Sequence, residues 1–150
     1  KFSPIESATR IIDHVSDGIL MAKKNKLPNR VIDFIKTHHG TSIVYYFYKK
    51  ATDNKNLKFE ENDFKYPGPK PFSKETAILM MADSVEAASK SLRDPDINQI
   101  SDFVNSIIEK QVEEKQFSEC QITFADIETV KKVLIKKLIN IFNLRIEYPK

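Results

Sequence analysis

The sequence predicts an all-α domain of about six helices. Apolar residues recur at intervals of three and four along most segments, which is the period of an amphipathic helix. Serine or threonine followed three residues later by an acidic residue, the spacing of a capping box, marks two helix starts. Only 3 of the 150 residues are glycine, and strand-like alternation is scarce. The length fits a single core, so residues 1–150 are expected to form one domain.

Six segments carry helix signals in order along the chain. They are residues 4–25, the segment from Pro28 to Gly40, residues 42–52, residues 74–92, the segment from after Pro95 to about residue 115, and residues 123–142, followed by a short extended tail at 145–148. Ser3 and Thr123 open the first and last of these helices with capping-box spacing. Residues 53–72 interrupt the pattern, because three prolines near their end prevent a helix. We expect an ordered loop there.

Composition and charge exclude several classes of function. The formal net charge of +3 is too small to indicate duplex DNA binding, so no nucleic-acid polymer is expected as a partner. Cys120 is the only cysteine, which excludes an internal disulfide and a cysteine-based zinc site and agrees with a reducing compartment. No apolar run approaches the roughly 20 residues that a membrane-spanning helix needs. The lysines at 131, 132, 136 and 137 are expected to form the solvated face of the last helix.

All three histidines of the chain are candidate metal ligands. His38 and His39 end a predicted helix on its apolar side, three and four residues after Ile35. His14 lies four residues before Gly18, where the missing side chain lets another element come close. Neutral imidazoles that converge from two helices suit a first-row transition metal. The alternatives are histidines satisfied within the core, or imidazolium groups at the negative end of a helix dipole.

Asp83 is the fourth candidate ligand. It lies on the helical stripe that contains Leu79, Met80 and Ala87, so its carboxylate is expected to be partly buried. Carboxylates are rarely buried without a partner, because removing the charge from water costs several kcal/mol. A metal ion would be such a partner, and a salt bridge or a helix cap is the structural alternative.

Several short motifs together resemble a known family. They are His14-Val15, His38-His39-Gly40-Thr41, Tyr66-Pro67-Gly68-Pro69-Lys70-Pro71 and Ala82-Asp83-Ser84-Val85-Glu86-Ala87. In this order they look like the signatures of an HD-superfamily phosphohydrolase. The Pro-Gly-Pro-Lys-Pro loop narrows the resemblance to the seven-transmembrane HD-domain family of bacterial cyclic di-AMP phosphodiesterases. The resemblance runs from Ser3 to the terminal Arg145-Ile146-Glu147-Tyr148-Pro149, almost the whole chain.

The resemblance implies a site with two divalent transition metals, iron or manganese. By motif, His14, His38 and His39 match ligands of one metal, and Asp83 matches a ligand of the other. The leading histidine and the His-Asp pair of the family have no counterpart here, since the chain contains no His-Asp dipeptide. The chain is therefore expected to be the C-terminal portion of an HD domain, with weak activity or none alone. The resemblance also implies a cytoplasmic domain of an integral membrane protein, with its membrane helices upstream, and a possible homodimer.

Cyclic di-AMP, cleaved to linear di-AMP, is the substrate that the resemblance implies. Lys70 is the candidate phosphate contact, because the surrounding prolines would hold its backbone rigid, and an exposed loop lysine is the alternative. Thr41 is a second candidate contact, and Tyr46 is the aromatic residue of the third helix expected to stack on adenine, while most of its neighbours are expected in the core. Two other functions stay open: a helical module that binds cyclic dinucleotides or a partner without catalysis, and an HD phosphohydrolase that acts on another nucleotide.

Overall fold

The computed structural model of the chain describes residues 2–143 and contains six α-helices in that range. They are α1 Pro4–Lys24, α2 Asn29–Thr37, α3 Tyr45–Thr52, α4 Lys74–Ser89, α5 Ile97–Glu113 and α6 Phe124–Ile141, with a 3₁₀ turn at Glu61–Phe64. The predicted all-α fold of six helices is confirmed. None of the described helices is both long and apolar enough to cross a bilayer. The tail expected at 145–148 lies outside the described residues.

Reciprocal hydrogen bonds between side chain and backbone fix the starts of four helices. At α1 the Glu6 amide donates to the Ser3 hydroxyl at 3.2 Å, and the Ser3 amide donates to the Glu6 carboxylate at 2.7 Å. The same arrangement begins α4 at Ser73–Thr76, α5 at Asp96–Gln99 and α6 at Thr123–Asp126. Each capping side chain satisfies a backbone donor that the helix leaves unpaired and contributes about 1 kcal/mol.

The loop between α3 and α4 is tied back to the segment that precedes α3. The Val44 amide donates to the Phe64 carbonyl at 2.8 Å, and the Tyr66 amide donates to the Ser42 carbonyl at 2.9 Å. This short antiparallel pairing uses backbone that the sequence assigned to the third helix. The helix consequently begins at Tyr45 and not at Ser42, because those residues bond to the loop.

By its contacts the chain divides after Pro71 into two compact units. In the first unit, α1 packs against α2, α3 and the 3₁₀ turn. Ala8 of α1 and Ala51 of α3 are fully buried, and their small side chains let these two helices come close. Phe64 is also fully buried and meets the rings of Tyr48 and Phe59 edge to face, with centroids 5.7 and 5.6 Å away. This core supports the segment that carries the histidines.

The second unit is formed by α4, α5 and α6, which pack on one another around an apolar core. Its most buried side chains include Met80, Met81, Val85, Ile100, Val104 and Ile108. Lys131 also lies inside, so the expectation that all four lysines of α6 face solvent is wrong for it. Its ammonium group lies 3.0 Å from the Glu128 carboxylate and 3.3 Å from that of Glu109. Burial acts to lower the pKa of Lys131, but hydrogen bonds and charges from these two carboxylates outweigh it and raise the pKa.

Two isoleucines of the second unit give a matched test of this core. Ile108 is fully buried, whereas Ile141 is 67% exposed. Ile108→Ala should lower the free energy of unfolding by about 2–5 kcal/mol, because it removes buried methyl groups and leaves a cavity. Ile141→Ala should change it by less than about 0.5 kcal/mol. Urea unfolding followed by circular dichroism measures both, and equal losses would contradict the described burial.

Candidate metal centre

The three histidines lie where α1 passes the C-terminal end of α2. His14 is in α1, and His38 is the C-cap of α2, with its amide donating to the Phe34 carbonyl at 3.2 Å. His39 follows, and Gly40 then turns the chain with a φ of +49°, a left-handed conformation that glycine adopts without strain. The end of the helix therefore presents two adjacent imidazoles toward a third on α1.

A glycine on α1 permits this approach of the two helices. A Cβ atom placed on Gly18 would lie 3.1 Å from the Cγ2 atom of Ile35 in α2, closer than ordinary van der Waals contact. The sequence predicted that the missing side chain at Gly18 would admit another element near His14. The structure identifies that element as α2 at Ile35, three residues before His38.

The imidazole nitrogens of the cluster lie close enough together to be candidate ligands of one ion. One ring nitrogen from each of His14, His38 and His39 lies within 4.8 Å of the others. The Nε2 atoms of His14 and His38 are 3.1 Å apart. Two nitrogen ligands of one ion, each about 2.0–2.1 Å from it at octahedral to tetrahedral angles, lie about 2.8–3.4 Å apart. The observed separation falls within that range.

Hydrogen bonds to the backbone select the neutral tautomer of two of these rings. Nδ1 of His14 bonds to the Ile11 carbonyl and Nδ1 of His38 to the Ile35 carbonyl, and each Nδ1 must donate because a carbonyl only accepts. In the neutral rings both Nε2 atoms then carry lone pairs, and these face each other. A hydrogen bond between them would require one ring to be charged. A cation between them satisfies both lone pairs, so the donor set fits a metal ion.

Burial keeps His39 in the neutral form that a ligand needs. Desolvation, followed by the charges of His38 and His14, lowers the pKa of His39 to about 3. At neutral pH the ring is therefore uncharged and has a free lone pair on one nitrogen. His14 is exposed and the other two histidines are half-buried, so the cluster is open to solution on one side. Catalytic metal sites keep such an open position, whereas structural sites close it.

The predicted substrate residues of the first unit have different surroundings. Thr41 lies beside the Pro-Gly-Pro-Lys-Pro loop, since a Cβ atom on Gly68 would be 3.2 Å from its Cγ2 atom. Lys70 of that loop is half-buried. Tyr46 is 62% exposed, with the Lys50 ammonium group 4.4 Å from its ring centroid. The roles of these residues toward a substrate stay predictions.

Asp83 is half-buried in α4 and belongs to the second unit. The structure describes each unit by itself, so the expectation that this carboxylate lies close to the histidines stays a prediction. Its role as a metal ligand stays one as well.

Tyr66 is a member of the site that the sequence did not single out. Its ring stacks on the His39 imidazole, with centroids 4.3 Å apart and planes inclined by 15°. It also meets His14 edge to face at 6.0 Å and is only 7% exposed. In the sequence, Tyr66 stands directly before the proline-rich motif and counts only as part of the family signature. Nothing in that pattern indicates that its ring contacts a histidine.

Comparison with curated proteins identifies similar chains, although no family model matches this one. The cyclic-di-AMP phosphodiesterase PgpH of Bacillus subtilis is 45% identical over 149 residues, which are 99% of this chain and 21% of that protein. The protein of the same name from Listeria monocytogenes is 39% identical, with the same coverage. The chain thus spans about a fifth of the length of these relatives.

Solved structures extend the comparison to the fold. The crystal structure of the L. monocytogenes PgpH HD domain in complex with cyclic-di-AMP superimposes with a TM-score of 0.90 at 39% identity. The match covers 98% of this chain and 68% of the solved one. A second crystal structure of that HD domain gives a TM-score of 0.86 over 94% of this chain and 65% of the solved one. The chain therefore belongs to the family of the PgpH HD domains.

Proposed function

We propose that this chain is part of a metal-dependent phosphodiesterase that hydrolyses cyclic di-AMP to linear di-AMP. The observation that carries the proposal is the cluster of three imidazoles, two of which bring their Nε2 atoms to 3.1 Å from each other while each Nδ1 bonds to a helix carbonyl. The names of the similar proteins support the reaction and the substrate. Since the relatives are much longer, the activity belongs to the whole natural protein, which we place in the membrane with this domain in the cytoplasm.

The proposed ligands of the first metal are His14, His38 and His39, and Asp83 is the proposed protein ligand of the second metal. Imidazole and carboxylate ligands together suit iron or manganese, the two metals we propose. The carbonyls of Ile11 and Ile35 would hold His14 and His38 with Nε2 toward the metal, as the backbone partners of metal-bound histidines do.

Bound cations would lower the pKa of a bridging water and stabilise negative charge on the phosphoryl oxygens. Protein side chains would bind and orient the substrate. Lys70 would hold a phosphate of the substrate from a loop that three prolines stiffen. The hydroxyl of Thr41, beside that loop, would donate a hydrogen bond to the same phosphate. The exposed ring of Tyr46 would stack on an adenine. A phosphate held in place keeps phosphorus in line with the attacking oxygen.

Removal of one histidine ligand tests the proposed metal site. In the full-length natural protein with Mn²⁺, His38→Ala should lower kcat/KM for cyclic di-AMP by at least about 100-fold, because a lost ligand costs more than a lost outer partner. Arg30→Ala is the matched control, since Arg30 is exposed on the same helix, and it should change the rate by less than about twofold. Wild-type turnover by the His38→Ala protein would refute the ligand assignment.

Substitution of the acidic residue separates the two proposed metals. Asp83→Asn in the full-length protein should remove turnover and reduce the bound manganese from two ions to one, because the three histidines would still hold the first. Elemental analysis after dialysis gives the metal content, and Asp102→Asn, an exposed acid on α5, is the control that should keep both ions. Two bound ions and full activity in the Asp83→Asn protein would exclude Asp83 as a ligand.

A further inference from the structure

We infer that Tyr66 is a positioning residue that fixes the orientation of the His39 imidazole for metal binding, an inference that rests on the proposed metal function. The rings of the two residues stack at 4.3 Å with an inclination of 15°, within the range of favourable aromatic contacts. The Tyr66 ring also contacts the edge of His14, so it borders two of the three proposed ligands. Its burial leaves little room for another orientation of either ring.

Hydrogen bonds through Ser42 connect Tyr66 with His39, in addition to the stacking of their rings. The His39 carbonyl accepts hydrogen bonds from the Ser42 amide at 3.0 Å and from the Ser42 hydroxyl at 2.7 Å. The Ser42 carbonyl in turn accepts from the Tyr66 amide at 2.9 Å, and the Tyr66 ring returns to the His39 ring. The backbone and the side chain of His39 are therefore both held where the segment before α3 pairs with the loop that contains Tyr66.

The three proposed ligands are thus oriented in two ways. His14 and His38 are held by hydrogen bonds from Nδ1 to helix carbonyls, which define both the ring plane and the protonated nitrogen. His39 lies beyond the end of α2, directly before the turn at Gly40. The stacked Tyr66 ring restricts rotation of the His39 side chain, so the metal does not have to select one orientation from several on binding. Such preorganisation strengthens binding because less conformational entropy is lost.

The direct test is a titration of the metal-free chain with Co²⁺, followed by calorimetry and by visible absorption. Tyr66→Leu should weaken Co²⁺ binding about tenfold to a hundredfold, the range for loss of an outer partner of a histidine ligand. Tyr66→Phe keeps the stacked ring and should bind within about threefold of the wild-type chain. Phe64→Leu is the matched control, because Phe64 is also buried, two residues away, but packs on Tyr48 and Phe59. It should reduce stability and leave Co²⁺ affinity unchanged.

A double-mutant cycle shows whether Tyr66 acts through His39. If it does, Tyr66→Leu should have no further effect on Co²⁺ affinity in a chain that already carries His39→Ala. Wild-type affinity in the Tyr66→Leu chain would overturn the inference. An equal loss in both backgrounds would overturn it too, since a general structural effect would not depend on His39.

A second readout needs no metal. In the metal-free chain, the ring current of Tyr66 should shift the His39 ring protons upfield in the NMR spectrum. Tyr66→Phe should keep this shift and Tyr66→Leu should abolish it. A wild-type chain that shows the shift but binds no Co²⁺ would refute metal binding by the three histidines and leave the orientation of His39 by Tyr66 intact. Identical His39 shifts in the wild-type and Tyr66→Leu chains would refute the positioning.

Discussion

The proposed site depends on the hydrogen bonds from Nδ1 of His14 and His38 to the helix carbonyls of Ile11 and Ile35. Each bond joins a side chain to the carbonyl three residues before it, so local chain geometry directs the ring. Because Nδ1 is the donor, Nε2 of each neutral ring is left with a lone pair, and the two Nε2 atoms are 3.1 Å apart. Between two neutral rings this arrangement is repulsive, whereas a cation between the two Nε2 atoms would join them in a coordination sphere. The helices thus fix both the position and the tautomer of the two proposed ligands.

Packing in the first unit keeps these helices at the required separation. Gly18 brings α2 against α1, and Ala8 and Ala51 do the same for α1 and α3. Larger side chains at these positions would push the helices apart, because a packed interior has no room to absorb added volume. The pairing of Ser42 with Tyr66 then places an aromatic ring against the His39 imidazole. These small residues therefore set the separations between the helices that carry and support the three histidines.

The features that the sequence predicted correctly depend on residues close together in the chain. The capping pairs at Ser3 and Thr123 act within one helical turn. The convergence of the histidines was predicted from the place of His38 and His39 at a helix end and from Gly18 near His14, and these are also local features. The start of α3, the burial of Lys131 and the stacking of Tyr66 depend on residues distant in the chain. Lys131 meets Glu109 on another helix, which a pattern of charges along one helix does not encode. The relation of Asp83 to the histidines is of the same long-range kind and stays a prediction.

A crystal of this chain grown with Mn²⁺ and measured at the manganese absorption edge would test the central claim most directly. The account predicts an anomalous peak bonded to Nε2 of His14, Nε2 of His38 and one ring nitrogen of His39, while both Nδ1 atoms keep their bonds to the carbonyls of Ile11 and Ile35. Manganese bound through Nδ1 of His14 or His38, or anomalous density only at sites away from the three histidines, would contradict it.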